Sequence, residues 1–155
     1  MEAEVLLRRI KEALLSLDDG LEQAEAIGIC GSLARGKDFG PRSDIDVFVV
    51  VKEADLGPET HRMWWERIRE ALDGLNRDVT VLVYTRKALE EICNWYVLRL
   101  ASEGIVLFDK GGMKELFSRI IQAARGAGLL EEEIEGDRIW TSKIRYGEPL
   151  EVKLK

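Results

Sequence analysis

The stretch from Ser43 to Val51 constrains the fold more than any other part of this 155-residue chain. Two aspartates, Asp44 and Asp46, stand one residue apart, and five apolar residues follow directly. A short, continuous apolar run is typical of a strand that is buried on both faces. Side chains alternate across a strand, so both carboxylates point to the same face, about 7 Å apart. The pattern therefore predicts an interior strand that begins with two like charges.

A turn before this strand suggests what the two charges do. The mostly apolar residues Glu25 to Cys30 predict a first strand, and Gly31-Ser32 predicts a turn into a short helix. Gly31 allows a backbone to approach a phosphate closely, and Ser32 offers a hydroxyl and an N–H group. Two carboxylates near such groups suit a divalent cation that carries phosphates. An ordinary strand-to-helix turn with serine as N-cap is the structural alternative.

The remaining pattern alternates helices with strands, which predicts an α/β (α+β) fold with helices packed on a mixed sheet of about four to five strands. The apolar stripes of the helices place Trp64, Trp95 and Tyr96 in the core, and Thr85 is expected to be an N-cap. His61 is expected on a helix surface without a partner. The predicted helices cover residues 2–17, 58–73, 85–102 and 114–125, and the further strands cover residues 77–84 and 105–108, with an edge strand at Leu150, Val152 and Leu154.

Length and composition indicate a single domain over residues 1–155, with a motif core at 25–110 and a C-terminal extension at 111–155. A net charge of −6 argues against an extended nucleic-acid surface, because such binding depends on cationic contacts with phosphates. Two cysteines without CxxC spacing argue against a disulfide scaffold and a zinc site. No apolar run is long enough for a membrane span, and the N-terminus lacks signal-peptide features, so we expect a cytoplasmic protein.

The segment Gly31-Ser32-Leu33-Ala34-Arg35-Gly36, followed by Ser43-Asp44-Ile45-Asp46, resembles the GSxxRG…SDxD motif of the DNA polymerase β-like nucleotidyltransferases. It is most similar to the minimal nucleotidyltransferases, often called MNT, and the resemblance covers residues 25 to 85. It implies a polymerase β-like fold. It also implies an enzyme that transfers a nucleoside monophosphate, expected to be AMP from ATP, to a hydroxyl group.

By this resemblance Asp44 and Asp46 bind two Mg²⁺ ions, and a third acid binds the catalytic ion and helps to activate the nucleophile. Asp78, at the start of the third strand, is the candidate for the third acid. If the second and third strands are neighbours, Asp78 lies across from the pair. Asp73 is the competing residue, although it fits the end of the preceding helix better.

The same resemblance makes Gly31, Ser32, Arg35 and Ser43 the nucleotide-binding residues. For Arg35 the alternatives are a contact with a phosphate and a surface salt bridge. Ser43 either contacts the nucleotide or only orients the loop before the first aspartate.

The acceptor is the open question. Small members of the family act as antitoxins that add AMP to a tyrosine of a helical HEPN-type partner, which makes a protein acceptor the leading expectation by resemblance. The alternatives are a non-catalytic partner-binding module of the same fold and a small-molecule, aminoglycoside-like nucleotidyltransferase. For the latter, a homodimer could build the acceptor pocket between subunits.

Overall fold

The computed structural model describes residues 2–92, 95–135, 137–142 and 152–154. Its centre is a four-stranded mixed sheet with strand order β3-β2-β1-β4. Strand β2 runs parallel to β3 and antiparallel to β1, which is also antiparallel to β4. The predicted mixed sheet with packed helices is confirmed. The strands are β1 (Ala26–Cys30), β2 (Ile45–Val51), β3 (Val79–Thr85) and β4 (Ile105–Asp109).

The helices and a separate hairpin complete the fold. Thr85 caps α4 as expected, because its hydroxyl accepts a hydrogen bond from the Ala88 N–H group at 3.1 Å. The helices are α1 (Ala3–Leu15), α2 (Gly31–Arg35), α3 (Thr60–Ala71), α4 (Arg86–Glu91), α5 (Trp95–Glu103) and α6 (Met113–Gly126), and the hairpin strands are β5 (Leu129–Ile134) and β6 (Asp137–Ser142).

Strand β2 is buried on both faces, as its apolar run predicts. Ile45, Val47 and Val49 face the core that includes residues of α1 and α3. Phe48 and Val50 face the core that includes residues of α4, α5 and α6. Asp44 and Asp46 lie an even number of positions before Phe48 and Val50, and side chains two positions apart along a strand share a face. The two carboxylates therefore belong to the second face, at the end where β2 begins.

The predicted helix over residues 85–102 is wrong, since the structure has two helices there. Ile92 adopts a left-handed conformation with φ of 45°, which ends α4. Because α5 then starts in a new phase, it buries Val97, Leu98 and Leu100 and leaves its first two residues outside the core. Trp95 is 52% exposed and Tyr96 is 74% exposed, contrary to the prediction that both are buried. Cys93, which belongs to the same predicted helix, lies outside the described residues.

The C-terminal prediction also needs correction. The acidic stretch that begins at Glu131 forms β5, which pairs with β6 in a hairpin. Residues 152–154 are not a strand, and Val152 and Leu154 instead pack against the core on the second face. Leu150 lies outside the described residues. Alternation over so few residues cannot distinguish an edge strand from a packed irregular segment.

His61 is exposed as predicted, but it has a partner. Its Nε2 atom lies 2.8 Å from the carbonyl oxygen of Val81, and Trp65 Nε1 donates to the carbonyl of Val79 at 3.3 Å. Within the sheet that the described residues form, β3 is an edge strand, so side chains of α3 cover carbonyl groups that pair with no other strand of that sheet. Among the described helices, none is long and apolar enough to cross a membrane.

The two tryptophans that were both expected in the core should differ in their effect on stability. Trp64 is 1% exposed, so Trp64→Ala should lower the free energy of unfolding by about 3–5 kcal/mol. Trp95→Ala removes a half-exposed side chain and should cost less than about 1 kcal/mol. Urea unfolding followed by circular dichroism measures both, and equal losses would contradict the exposed position of Trp95.

Candidate active site

Gly31 and Asp46 lie side by side at the end of the sheet. Asp46 pairs with Cys30 across the β1–β2 ladder, and Gly31 follows directly as the first residue of α2. Gly31 has a φ of +71°, and a Cβ atom built on it would collide with Oδ2 of Asp46. Glycine is therefore required here for two reasons, the backbone conformation and the space that the carboxylate occupies.

The two aspartates of the pair act on each other. Burial and the neighbouring charge of Asp44 raise the pKa of Asp46, whereas a hydrogen bond from Thr80 and the charge of Arg35 lower it by less. Thr80 Oγ1 also lies 3.4 Å from Oδ2 of Asp44. A hydroxyl has one proton, so Thr80 donates to one carboxylate at a time. The site thus places two carboxylates close together, and a bound cation would offset the repulsion between them.

Asp78 lies at the same end of the sheet as Asp44 and Asp46. The three carboxylates are not, however, arranged as a metal-binding cluster. The backbone N–H group of Ile45 donates to the carbonyl of Asp78 at 2.9 Å, so β2 and β3 are neighbours as anticipated. The parallel register, however, puts Thr80 and not Asp78 opposite Asp46. Among the described residues, no group of three or more His, Cys, Asp or Glu side chains is arranged to hold a metal ion. The role of Asp78 as a third ligand stays a prediction.

Arg35 makes an ion pair. Its Nη1 atom lies 3.6 Å from Oε2 of Glu103, a residue of α5. Arg35 also lines a cavity of about 180 Å³, which is bounded by residues of β1, β2, β3, α2 and α5. The salt-bridge alternative is therefore realised, and the same side chain still faces the cavity that Asp46 faces. The cavity is lined by Cys30, Gly31, Arg35, Asp46, Leu82, Tyr84, Tyr96, Arg99, Leu100 and Glu103.

Ser43 orders the loop before the aspartate pair. Its hydroxyl accepts a hydrogen bond from the Gly40 N–H group at 2.9 Å, and its own N–H group donates to the Gly40 carbonyl at 3.1 Å. Arg77 donates to the carbonyls of Gly40 and Ser43, both at 2.9 Å, and stacks on Phe39. These contacts match the loop-orienting alternative for Ser43. The reasoning from sequence missed Arg77, because nothing in the local pattern links it to a loop so far back in the chain.

The donor set fits a divalent cation with a phosphate ligand. Asp44 and Asp46 provide hard oxygen donors on one face, and Mg²⁺ commonly takes one or two carboxylates and completes its shell with water and phosphate oxygens. The raised pKa of Asp46, caused by burial and by Asp44, is the electrostatic signature of two carboxylates that share a site. Ser32 stands beside Gly31 at the start of α2, on the same edge of the sheet.

Residues 7–107 match the family model described as a nucleotidyltransferase domain. This match covers more than half of the chain, so the chain belongs to the nucleotidyltransferase domain family and is a nucleotidyltransferase. No curated protein matches it.

Solved structures of the same fold include toxin–antitoxin proteins. One is a toxin–antitoxin structure with AMP-PNP, at 21% identity over 70% of this chain and 80% of that chain, with a TM-score of 0.50. Another is the MntA–HepT toxin–antitoxin, at 19% identity over 71% of this chain and 78% of that chain, with a TM-score of 0.45. The first of these likenesses shows that the two chains share a fold.

Two glycine substitutions separate backbone strain from the geometry of the site. Gly31 and Gly36 both have positive φ, +71° and +69°, but only Gly31 is in contact with Asp46, and nothing lies within 4 Å of a Cβ on Gly36. Alanine at either position should cost about 1–2 kcal/mol of stability. Only Gly31→Ala should also displace the Asp46 carboxylate and lower the affinity for nucleotide, measured by calorimetry. Equal nucleotide affinity in the two variants would disprove this role of Gly31.

The Cys30 thiol should be inert in the folded protein. Burial, together with the charge of Asp46, raises its pKa to about 12. Compared with an ordinary thiol at pH 8, the thiolate fraction falls about a thousandfold. In a Cys93→Ser background, Ellman's reagent should therefore modify native Cys30 about a thousandfold more slowly than it modifies the urea-unfolded chain. Rapid labelling of the native protein would contradict the buried position of the thiol.

Proposed function

We propose that this nucleotidyltransferase uses Mg²⁺ to transfer AMP from ATP to a hydroxyl group, with Asp44 and Asp46 as the metal ligands. The observation that carries the proposal is the like-charged pair of Asp44 and Asp46, in which the Asp46 carboxylate packs directly against Gly31 at the start of α2. A domain without metal or phosphate to bind gains nothing from two adjacent carboxylates of which one is partly desolvated.

In the proposed reaction the acceptor oxygen attacks the α-phosphorus of ATP, a new O–P bond forms, and pyrophosphate leaves. Bound Mg²⁺ would lower the pKa of the acceptor hydroxyl and offset the charge on the leaving pyrophosphate. Asp44 and Asp46 would hold the cation, and Gly31 leaves room for the Asp46 carboxylate. Thr80 donates to one aspartate at a time and so limits their repulsion. Asp78 is the proposed third acid, which takes the proton of the acceptor hydroxyl.

For the acceptor we propose a tyrosine of a HEPN-type toxin, which would make this chain an antitoxin. The support is the motif resemblance to minimal nucleotidyltransferases together with a neighbour of the same fold that is a toxin–antitoxin structure with AMP-PNP. Ser32 and Arg35 are proposed to contact the phosphates. Ser43 is proposed to act through the loop that it orders.

Calorimetric titration of ATP, GTP, CTP and UTP, with and without Mg²⁺, tests the nucleotide site. We expect Mg²⁺-dependent binding of ATP to the wild type. Asp44→Asn and Asp46→Asn should reduce AMP transfer at least about 100-fold. Substitution of a residue that only supports a metal ligand usually costs about 10- to 100-fold, and loss of a ligand itself should cost more. Radiolabel from α-labelled ATP on a co-expressed partner toxin measures the transfer.

Asp78→Asn and Asp73→Asn form the matched pair for the third acid. Both residues are exposed carboxylates near the start of β3. Transfer should fall in Asp78→Asn and stay at the wild-type level in Asp73→Asn.

If Asp44→Asn and Asp46→Asn still neutralise the toxin at full strength, partner binding alone accounts for the function, and the enzymatic proposal for the antitoxin role fails.

A further inference from the structure

Glu103 brings together two arginines from different elements. Oε2 of Glu103 lies 3.6 Å from Nη1 of Arg35 on α2 and 3.7 Å from Nε of Arg99 on α5. The Glu103 side chain is only 11% exposed, whereas those of Arg35 and Arg99 are 29% and 52% exposed. One buried carboxylate thus holds two guanidinium groups whose outer parts reach solvent.

The N–H groups of these arginines are available to another acceptor. Both distances exceed that of a hydrogen bond, and Oε2 of Glu103 accepts no hydrogen bond although it is buried. Guanidinium groups bind phosphate oxygens through charge-assisted, often bidentate hydrogen bonds. The carboxylate keeps the two cations close to each other, and among the described residues it takes none of their N–H groups as a hydrogen-bond acceptor.

Both arginines face the proposed nucleotide. Arg35, Arg99 and Glu103 line the same cavity of about 180 Å³ as Gly31 and Asp46. Two positive charges and one negative charge leave this trio with a net charge of +1, in the cavity that Asp46 also lines. An anion that binds a cation held by the aspartates would also meet these guanidinium groups.

We propose that Arg99 is a phosphate-binding residue of this site, and that it acts with Arg35 on the polyphosphate chain of the nucleotide. The inference rests on the proposed nucleotidyl transfer and adds to it a residue from α5, outside the GSxxRG…SDxD motif. Arg99 lies on the exposed face of a helix. From the sequence alone, such a residue is interpreted as a charge that contacts only solvent.

Arg86 provides a matched control. Arg99 pairs with Glu103 four residues later, and Arg86 pairs in the same way with Glu90, at 3.3 Å. Arg86 lies on α4, donates to the carbonyl of Gly111, and is not among the residues that line the cavity. Loss of either arginine removes one positive charge, so a difference in anion affinity between the two variants cannot come from net charge.

The test is calorimetric titration of inorganic tripolyphosphate in EDTA, which measures anion binding without metal or base. Arg99→Ala should weaken binding about tenfold, and Arg86→Ala should leave it unchanged. Arg99→Lys should restore only part of the affinity, because an ammonium group cannot reproduce a bidentate contact. Thermal unfolding of each variant verifies that it is folded, as expected for an exposed position on α5.

The same variants are then assayed for AMP transfer. Arg99→Ala should raise the KM for ATP about tenfold, with a smaller change in kcat. The inference is overturned if Arg99→Ala binds tripolyphosphate like the wild type, if Arg86→Ala loses as much affinity, or if the wild type binds none at millimolar concentration. Arg99-dependent tripolyphosphate binding without any AMP transfer would instead contradict the proposed function while it leaves the anion site in place.

Discussion

The burial of β2 on both faces is the constraint on which the rest of this structure depends. Each residue from Val47 to Val51 is fully buried, so the strand needs a helical layer on either side. α1 and α3 supply one layer, and α4 to α6 supply the other. The aspartates at the start of β2, Asp44 just before it and Asp46 within it, are thereby fixed at the boundary between a rigid core and solvent. A short, buried strand holds them more precisely than a loop would.

Without a bound cation, the folded protein disfavours the ionised form of Asp46. Burial and Asp44 raise the pKa of Asp46, so an ionised Asp46 is less favourable in the folded than in the unfolded chain. The sign follows directly: its contribution to stability is greatest at low pH and is lost as pH rises from the unfolded pKa through the higher folded pKa. A cation bound to the pair would reverse that penalty. Strain of this kind is common where a protein keeps groups for chemistry.

Positive charge around the pair comes from elements that are distant in sequence. Arg35 follows the glycine–serine turn, Arg77 precedes β3, and Arg99 belongs to α5. Arg77 donates to two carbonyl groups of the loop before the aspartates. Arg35 and Arg99 both lie near Glu103 and line the cavity that Asp46 also lines. A protein with a net charge of −6 can thus place several positively charged side chains beside an acidic site. Local arrangement, and not net charge, decides which ligand such a site favours.

The sequence by itself determined the mixed α/β architecture, the faces of β2 and the position of the aspartate pair, because alternation and burial are local properties of a strand. It also indicated the glycine–serine turn, whose spacing to the aspartates is readable along the chain. Only the tertiary structure decided the break at Ile92, the exposure of Trp95 and Tyr96, and the hairpin near the C-terminus. It likewise decided that Thr80 lies opposite Asp46, and that Arg99 and Arg35 meet at Glu103. Register between strands and contacts between helices depend on long-range packing, and no local pattern encodes them.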